Sequence, residues 1–179
     1  FYEKNQRRAN LMLTQTILIV DDDENILKSI KRTLMDDNYN ILTAMSGQEG
    51  LAKLKKHDVS LVVSDQKMPG MSGLEFLEKI KIDYPEILTI MLTSHADIEI
   101  TIKAINEAGV YKFILKPWDE ANFRMTIRRA IETRQLIKER DSLLQKVQTH
   151  ETILRDLEKK QPGITKVERD EHGYVLTLD

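Results

Sequence analysis

Short apolar segments alternate with amphipathic segments along residues 16–130. Apolar runs rich in β-branched residues predict strands, and apolar residues spaced by three and four predict helices. The predicted strands are 16–20, 40–45, 59–63, 87–92 and 111–115. The predicted helices are 24–37, 47–56, 73–82 and 97–107, followed by a helix that begins after Asp119. This alternation predicts a doubly wound, five-stranded parallel sheet with helices on both faces.

Polar residues follow four of the predicted strands. Asp21 and Asp22 follow the first, Asp65 follows the third, Thr93 the fourth and Lys116 the fifth. Each of these residues alone is more typical of a turn or a helix cap. Ligands of open α/β sheets, however, bind beyond the carboxyl ends of the strands. Four strand ends with complementary groups therefore indicate one shared site, whereas Asp23 is better interpreted as an N-cap.

The chemistry of this set indicates a cation and a phosphoryl group. The carboxylates of Asp21, Asp22 and Asp65 would repel one another unless a cation lay between them. Hard oxygen ligands with no His or Cys beside them favour Mg²⁺, which usually binds through one or two carboxylates and a phosphate. A lysine and a hydroxyl suit a phosphoryl group. The pattern predicts phosphoryl transfer, with an aspartate as a possible nucleophile.

Composition narrows the class of protein. The formal net charge of −2 gives no basic excess of the kind typical of nucleic-acid binding, so no direct nucleic-acid partner is expected. The chain has no cysteine, which favours a cytoplasmic location. No apolar run approaches the roughly 20 residues of a membrane span, and Phe1–Leu11 lacks the apolar core of a signal peptide. No membrane association is therefore expected.

Four separated motifs carry a family resemblance. They are ILIVDDDEN, VVSDQKMPGMSGLEFL, MLTSHAD and FILKPW, and they span about residues 16–130. In order and spacing the chain resembles the receiver domain of two-component response regulators. The resemblance implies a flavodoxin-like fold of the CheY type and a phosphorelay function with a sensor histidine kinase as partner.

The resemblance also implies roles for individual residues. Asp65 would accept the phosphoryl group from a phosphohistidine of the kinase. Asp22 would bind Mg²⁺ directly and Asp21 through water, while Asp65 and the backbone carbonyl of Lys67 would complete the protein ligands. Gln66 and Lys67 flank the acceptor at positions that vary across the family, where they would influence the phosphoryl lifetime.

The remaining roles concern the switch. Thr93 would donate a hydrogen bond to a phosphoryl oxygen, and Lys116 would pair with the phosphoryl charge. The Lys116–Pro117 peptide bond would be cis. Phe113 would be the aromatic residue that turns inward when Thr93 is drawn toward the phosphate, which would change the surface formed by 97–107, 111–115 and the helix after Asp119.

The last helix is predicted to continue far beyond the receiver domain. No glycine or proline occurs between Trp118 and Gln161, and an unbroken helix over this stretch would be on the order of 60 Å long. A stripe with alternating spacing of three and four comprises Thr133, Leu136, Arg140, Leu143, Val147, His150, Leu154 and Leu157. The stripe predicts a parallel dimeric coiled coil, despite Arg140 and His150. A helix that folds back on its own domain, or a frayed linker, is the alternative.

Four segments result from these patterns. Residues 1–13 are an N-terminal extension or tag, 14–130 the receiver domain, and 131–160 the helical extension. Residues 161–179 follow Pro162-Gly163 and predict a β-hairpin or the start of a further output region. No motif in this region identifies an output.

Two other function classes remain open. Phosphohydrolases of the haloacid dehalogenase kind carry an aspartate nucleophile after the first strand and a second acid two residues later, as Asp21 and Asp23 do. Asn25 stands where those enzymes carry Thr or Val, and no later acidic pair completes their metal site. A coiled-coil scaffold that works without phosphorylation is the second alternative. In the response-regulator interpretation the chain is a switch that catalyses only its own phosphorylation and dephosphorylation.

Overall fold

The computed structural model describes residues 14–94, 102 and 108–162. The strands are β1 (Gln15–Val20), β2 (Tyr39–Ala44), β3 (Leu61–Asp65), β4 (Leu88–Thr93) and β5 (Lys112–Leu115). The helices are α1 (Glu24–Thr33), α2 (Gly47–Leu54), α3 (Gly73–Asp83) and α4 (Glu120–Lys160). The predicted segments 1–13 and 163–179, which include the hairpin, lie outside the described residues, as does 97–107 apart from residue 102.

The five strands form one parallel sheet in the order β2-β1-β3-β4-β5. This is one of the two common strand orders of doubly wound sheets, with a topological switch point between β1 and β3. The register places Val20 opposite Ser64 of β3, and Asp65 opposite Leu92 of β4. The carboxyl ends of the strands therefore meet at one edge, and the predicted fold class is confirmed.

Alternate residues of β1 belong to two cores, one on each face of the sheet. Leu18 and Val20 pack in the core that contains Phe76, Leu77 and Ile80 of α3. The opposite core contains Ile17 and Ile19 together with residues of α1 and α4; its helical members are Leu27, Ile30, Phe123, Ile127, Ala130 and Ile131. Both sides of the strand are buried, which explains its uninterrupted apolar sequence.

Side-chain caps fix where the first helices begin. Asp23 is the N-cap of α1 and accepts a hydrogen bond from the Asn25 amide at 2.8 Å. Ser72 and Glu75 form a reciprocal capping box at the start of α3. The predicted α1 extended to residue 37, but the helix ends at Thr33, and Leu34 turns inward and is fully buried. Leu34 has the spacing of the apolar helical positions although it lies in the turn, and the predicted helix was therefore too long.

The helix α4 comprises 41 residues, without the interruption that glycine or proline would cause. Asp119 caps it by accepting a hydrogen bond from the Asn122 amide at 2.9 Å. The chain forms two compact units, with the boundary between Leu136 and Ile137. Within the described ranges, no helix combines the length and the apolar character needed to span a bilayer.

Candidate functional site

The site lies at the carboxyl edge of the sheet. Asp21 follows β1, Asp65 is the last residue of β3, Thr93 is the last residue of β4, and Lys116 follows β5. Backbone hydrogen bonds continue the strand pairing into this edge: the Asp21 amide donates to Ala44 at 3.2 Å and the Lys116 amide donates to Thr93 at 2.8 Å. The sheet itself therefore positions these side chains.

The ammonium group of Lys116 joins two aspartates. Its Nζ lies 2.9 Å from Oδ2 of Asp21 and 2.5 Å from Oδ1 of Asp65. The second oxygen of each carboxylate accepts a backbone hydrogen bond, from Asp23 at 2.9 Å and from Lys67 at 2.7 Å. The side chains of Asp21 and Asp65 are only 1% and 9% exposed, so both carboxylates are held in fixed orientations.

Burial and pairing act in opposite directions on the charges of this site. Burial raises the pKa of the Asp21 carboxyl above its ordinary value, and hydrogen bonds from Lys116 and the Asp23 amide offset only part of that rise. Burial lowers the pKa of the Lys116 ammonium, but the hydrogen bonds to Asp65 and Asp21 outweigh burial and raise it. Lys116 is therefore charged at neutral pH, and additional positive charge beside Asp21 is favoured.

A close backbone approach at Gly73 fixes the start of α3 against the end of β3. The Gly73 amide donates a hydrogen bond to the carbonyl of Gln66 at 2.9 Å. A Cβ atom at position 73 would lie 2.1 Å from the backbone oxygen of Asp65, far inside van der Waals contact. Only glycine fits here, because neither backbone segment can move away independently of its strand or helix.

The residues present fit a magnesium ion with few protein ligands. The carboxylates of Asp21 and Asp65 together with the ammonium of Lys116 have a net charge of one negative unit. The candidate metal ligands are all hard oxygens. Asp22 is exposed and, together with Gln66 and Lys67, lines a shallow depression beside the site. The described ranges hold no group of three or more His, Cys, Asp or Glu side chains arranged to bind a metal. Mg²⁺ does not need one, because it retains several waters and binds through one or two carboxylates.

Two predicted switch residues lie on neighbouring strands. Thr93 is 1% exposed, and its hydroxyl lies 3.4 Å from the carbonyl of Ser94. Phe113 of β5 is 37% exposed and its backbone pairs with Met91 of β4. The Lys116–Pro117 peptide bond is cis.

Sequence reasoning did not anticipate the burial of Gln66. The residue is 6% exposed, and its Oε1 atom is buried with no hydrogen-bond partner in the part of the chain that the structure describes. Its only sequence signal is its position next to Asp65, because a glutamine after a strand is ordinarily a surface residue.

Comparison with known proteins agrees with this geometry. The model for the response regulator receiver domain matches residues 17–128. The hydrogenase transcriptional regulatory protein HoxA of Cupriavidus necator is 37% identical over 140 residues, which are 78% of this chain and 29% of HoxA. A cyclic di-GMP phosphodiesterase of Thermotoga maritima is 34% identical over 129 residues, which are 72% of this chain and 34% of that protein.

A solved structure extends the agreement to the fold. The crystal structure of a response regulator receiver domain protein from Clostridium thermocellum has a TM-score of 0.65 and 34% sequence identity. The match covers 69% of this chain and 98% of that one. The chain thus spans about a third or less of the two longer relatives but nearly all of an isolated receiver structure.

Proposed function

This chain belongs to the response regulator receiver family, and we propose that Asp65 accepts a phosphoryl group from a phosphohistidine of a sensor histidine kinase. The observation that carries the proposal is the contact of one Lys116 ammonium with both Asp65 and Asp21. The same ammonium that orients the Asp65 carboxylate would also neutralise the negative charge of a phosphoryl group bound to it. Asp65 is also the last residue of β3, which is the position of the phosphoacceptor in the receiver family.

The transfer makes one bond and breaks one. An oxygen of the Asp65 carboxylate forms a bond to phosphorus, while the phosphorus–nitrogen bond of the phosphohistidine breaks and its electron pair returns to the imidazole. When bound, Mg²⁺ would be held by Asp22, Asp65 and the Lys67 carbonyl, with Asp21 acting through water, and it would supply positive charge against the phosphoryl oxygens. Lys116 supplies a further positive charge, and the Thr93 hydroxyl donates to a phosphoryl oxygen.

The phosphorylated state would be transmitted by a shift between two conformations. Once Thr93 turns toward the phosphoryl group, it vacates the space into which Phe113 moves. The side chain of Phe113 is partly exposed, as expected for an outward orientation from which it could turn inward. The surface that includes β5 and the start of α4 would change. A partner that binds one conformation of this surface more tightly would then respond to phosphorylation.

The exposed apolar residues of α4 support a homodimer through this helix. Leu143, Val147 and Leu154 are each more than half exposed. Their spacing of four and seven residues places them on one side of a helix, where a second copy would cover them in a coiled coil. Among the longer relatives, one is named a transcriptional regulatory protein and another a cyclic di-GMP phosphodiesterase.

In this proposal the chain is a switch whose only chemistry is on its own aspartate. The phosphohydrolase alternative requires Asp21 as the nucleophile. Asp21 is the more deeply buried of the two carboxylates, with a side chain that is 1% exposed against 9% for Asp65. Asp21 is therefore better placed to hold a cation than to attack phosphorus.

Intact mass measurement after incubation with acetyl phosphate and Mg²⁺ tests the proposal. The wild type is expected to gain one phosphoryl group, and Asp65→Asn none. Asp58→Asn is the matched control, because Asp58 has an 86% exposed side chain outside the site. Labelling of Asp65→Asn, or a label that maps to Asp21, would refute the assignment of the acceptor.

A further inference from the structure

The apolar stripe of α4 in residues 137–160 is bordered by two opposite charges. Leu143 and Val147 belong to the stripe and are more than half exposed. In a heptad repeat with the stripe at positions a and d, Val147 takes position a and Leu143 takes position d. Lys146 then lies at position g and Glu151 at the next position e, on opposite borders of the stripe. Side chains at these two positions reach across to a neighbouring helix.

The two bordering charges differ from the charges on the outer side of the helix. Away from the stripe, Asp156 and Lys159 lie 4.0 Å apart and pair with each other. Lys146 and Glu151 are both exposed and take part in no ion pair within the part of the chain that the structure describes. Side chains meet along a helix when they are three or four residues apart, and these two are five apart. Lys146 and Glu151 therefore do not neutralise each other on one helix.

We propose that a second copy of α4 covers the stripe in parallel and in register, with Lys146 of each copy paired with Glu151 of the other. This inference rests on the homodimer of the proposed function and adds its direction and its alignment. In a parallel two-stranded coiled coil, a residue at g faces the residue at e of the next heptad on the other helix, and Lys146 and Glu151 have this relation. Twofold symmetry produces the same contact twice, so one complementary pair of residues gives two ion pairs.

The charged residue within the stripe fits the same register. Arg140 lies at position a, where the two copies of this residue meet, and Glu139 lies beside it at position g. Each Arg140 can exchange its exposed pair with Asp141 for Glu139 of the second copy, because an exposed pair holds its partners only weakly. A slip by one heptad would instead bring one Arg140 beside Lys146 of the other copy. A polar residue at position a thus fixes the alignment at some cost in stability.

Charge reversal tests the pair on the full chain, with the dimer dissociation constant measured by sedimentation equilibrium. Lys146→Glu and Glu151→Lys each turn both contacts from attraction to repulsion, and each is expected to weaken the dimer roughly tenfold. The double variant exchanges the two charges and is expected to associate nearly as tightly as the wild type. Lys138→Glu is the matched control, because Lys138 is exposed, lies at the outer position f and undergoes the same change of charge. It should leave the dimer unchanged.

Weakening by both single variants and recovery in the double variant support the inference. If both single variants dimerise as tightly as the wild type, Lys146 and Glu151 do not pair, and the register is wrong although the homodimer stands. If the double variant is as weak as the single variants, the two charges act separately, and the register is again wrong. A wild type without measurable association would remove the homodimer and this inference together, while phosphorylation of Asp65 is tested independently by the mass measurement.

Discussion

The helix α4 contains two regions with similar apolar spacing and opposite burial. In the first region, Phe123, Ile127, Ala130 and Ile131 are at most 5% exposed and belong to a core of the sheet. In the region after Ile137, apolar residues at comparable spacing remain roughly half exposed; they are Leu143, Leu144, Val147, Ile153, Leu154 and Leu157. The pattern alone does not distinguish the two regions, because both produce an apolar stripe on one side of a helix.

The difference lies in what can cover the stripe. The first region has the apolar surface of β1 and β3 to pack against, through residues such as Ile19 and Val63. In the second region the side chains make short-range interactions, for example the hydrogen bond from Nε of Arg140 to Asp141 at 2.9 Å. Exposed pairs of this kind contribute at most about 1 kcal/mol, and isolated helices are marginal in water. A second copy of the helix would give the second region the apolar burial that the first region obtains from its own domain.

Removing one large side chain from the first region should have the largest effect. Phe123 is 1% exposed and its ring centroid lies 5.3 Å from that of Trp118. Phe123→Ala is expected to lower the free energy of unfolding by about 3–5 kcal/mol, because the lost contacts leave a cavity. Urea unfolding, monitored through the fluorescence of Trp118, measures this change in free energy, since Trp118 is the single tryptophan of the chain.

Leu154→Ala is the control for that measurement, carried out on dilute protein. Leu154 is 52% exposed, so its truncation should change the unfolding of the receiver by no more than about 0.5 kcal/mol. A similar loss in both variants would mean that the two regions are buried to the same extent in solution, and the comparison would fail.

Much of the fold and the edge of the site followed from the sequence. Strands buried on both faces leave uninterrupted apolar runs, so the residues after them could be placed at one edge. The structure brings Asp21, Asp65 and Lys116 together there, with Thr93 at the end of the intervening strand β4. The repulsion of adjacent carboxylates was the physical signal, because it has to be compensated by a cation.

The details that escaped prediction depend on neighbours distant in the sequence. The strand β3 was predicted to end at residue 63, but it continues through Ser64 and Asp65, since pairing with β4 is made by the backbone and does not depend on polar side chains. The burial of Gln66 has the same origin: β4 and the start of α3 hold its backbone on both sides. Residue polarity alone cannot reveal such enclosure.

Truncation in the second region should instead weaken association between chains. If Leu154 lies in a seam between two copies of α4, Leu154→Ala removes a buried side chain from each copy. A loss of about 2 kcal/mol corresponds to a roughly 30-fold weaker dimer. Sedimentation equilibrium of the wild type and the variant measures this, with Lys138→Ala as an exposed control. A wild type that stays monomeric at every concentration would refute the dimer.

The smallest expected difference separates two arginines of the same helix. Arg134 is 7% exposed, and its guanidinium lies 3.7 Å from Asp58. Its buried Nε has no hydrogen-bond partner among the described residues. Arg140 has a 64% exposed side chain and pairs with the adjacent Asp141. Arg134→Ala is expected to cost about 1 kcal/mol of unfolding free energy, chiefly through lost packing of the aliphatic stem, and Arg140→Ala almost nothing.

Methionine at the same two positions separates packing from charge. Arg134→Met keeps most of the stem and removes the unpaired Nε donor, so it should restore the stability lost in Arg134→Ala. The partner Asp58 is largely exposed, and solvent therefore weakens its attraction to Arg134. Urea unfolding of the alanine and methionine variants at both positions provides the measurement. If Arg134→Met were as unstable as Arg134→Ala, the ion pair with Asp58 would be the main contribution of Arg134 to stability. The two regions of α4 would then differ in charge interactions as well as in apolar burial.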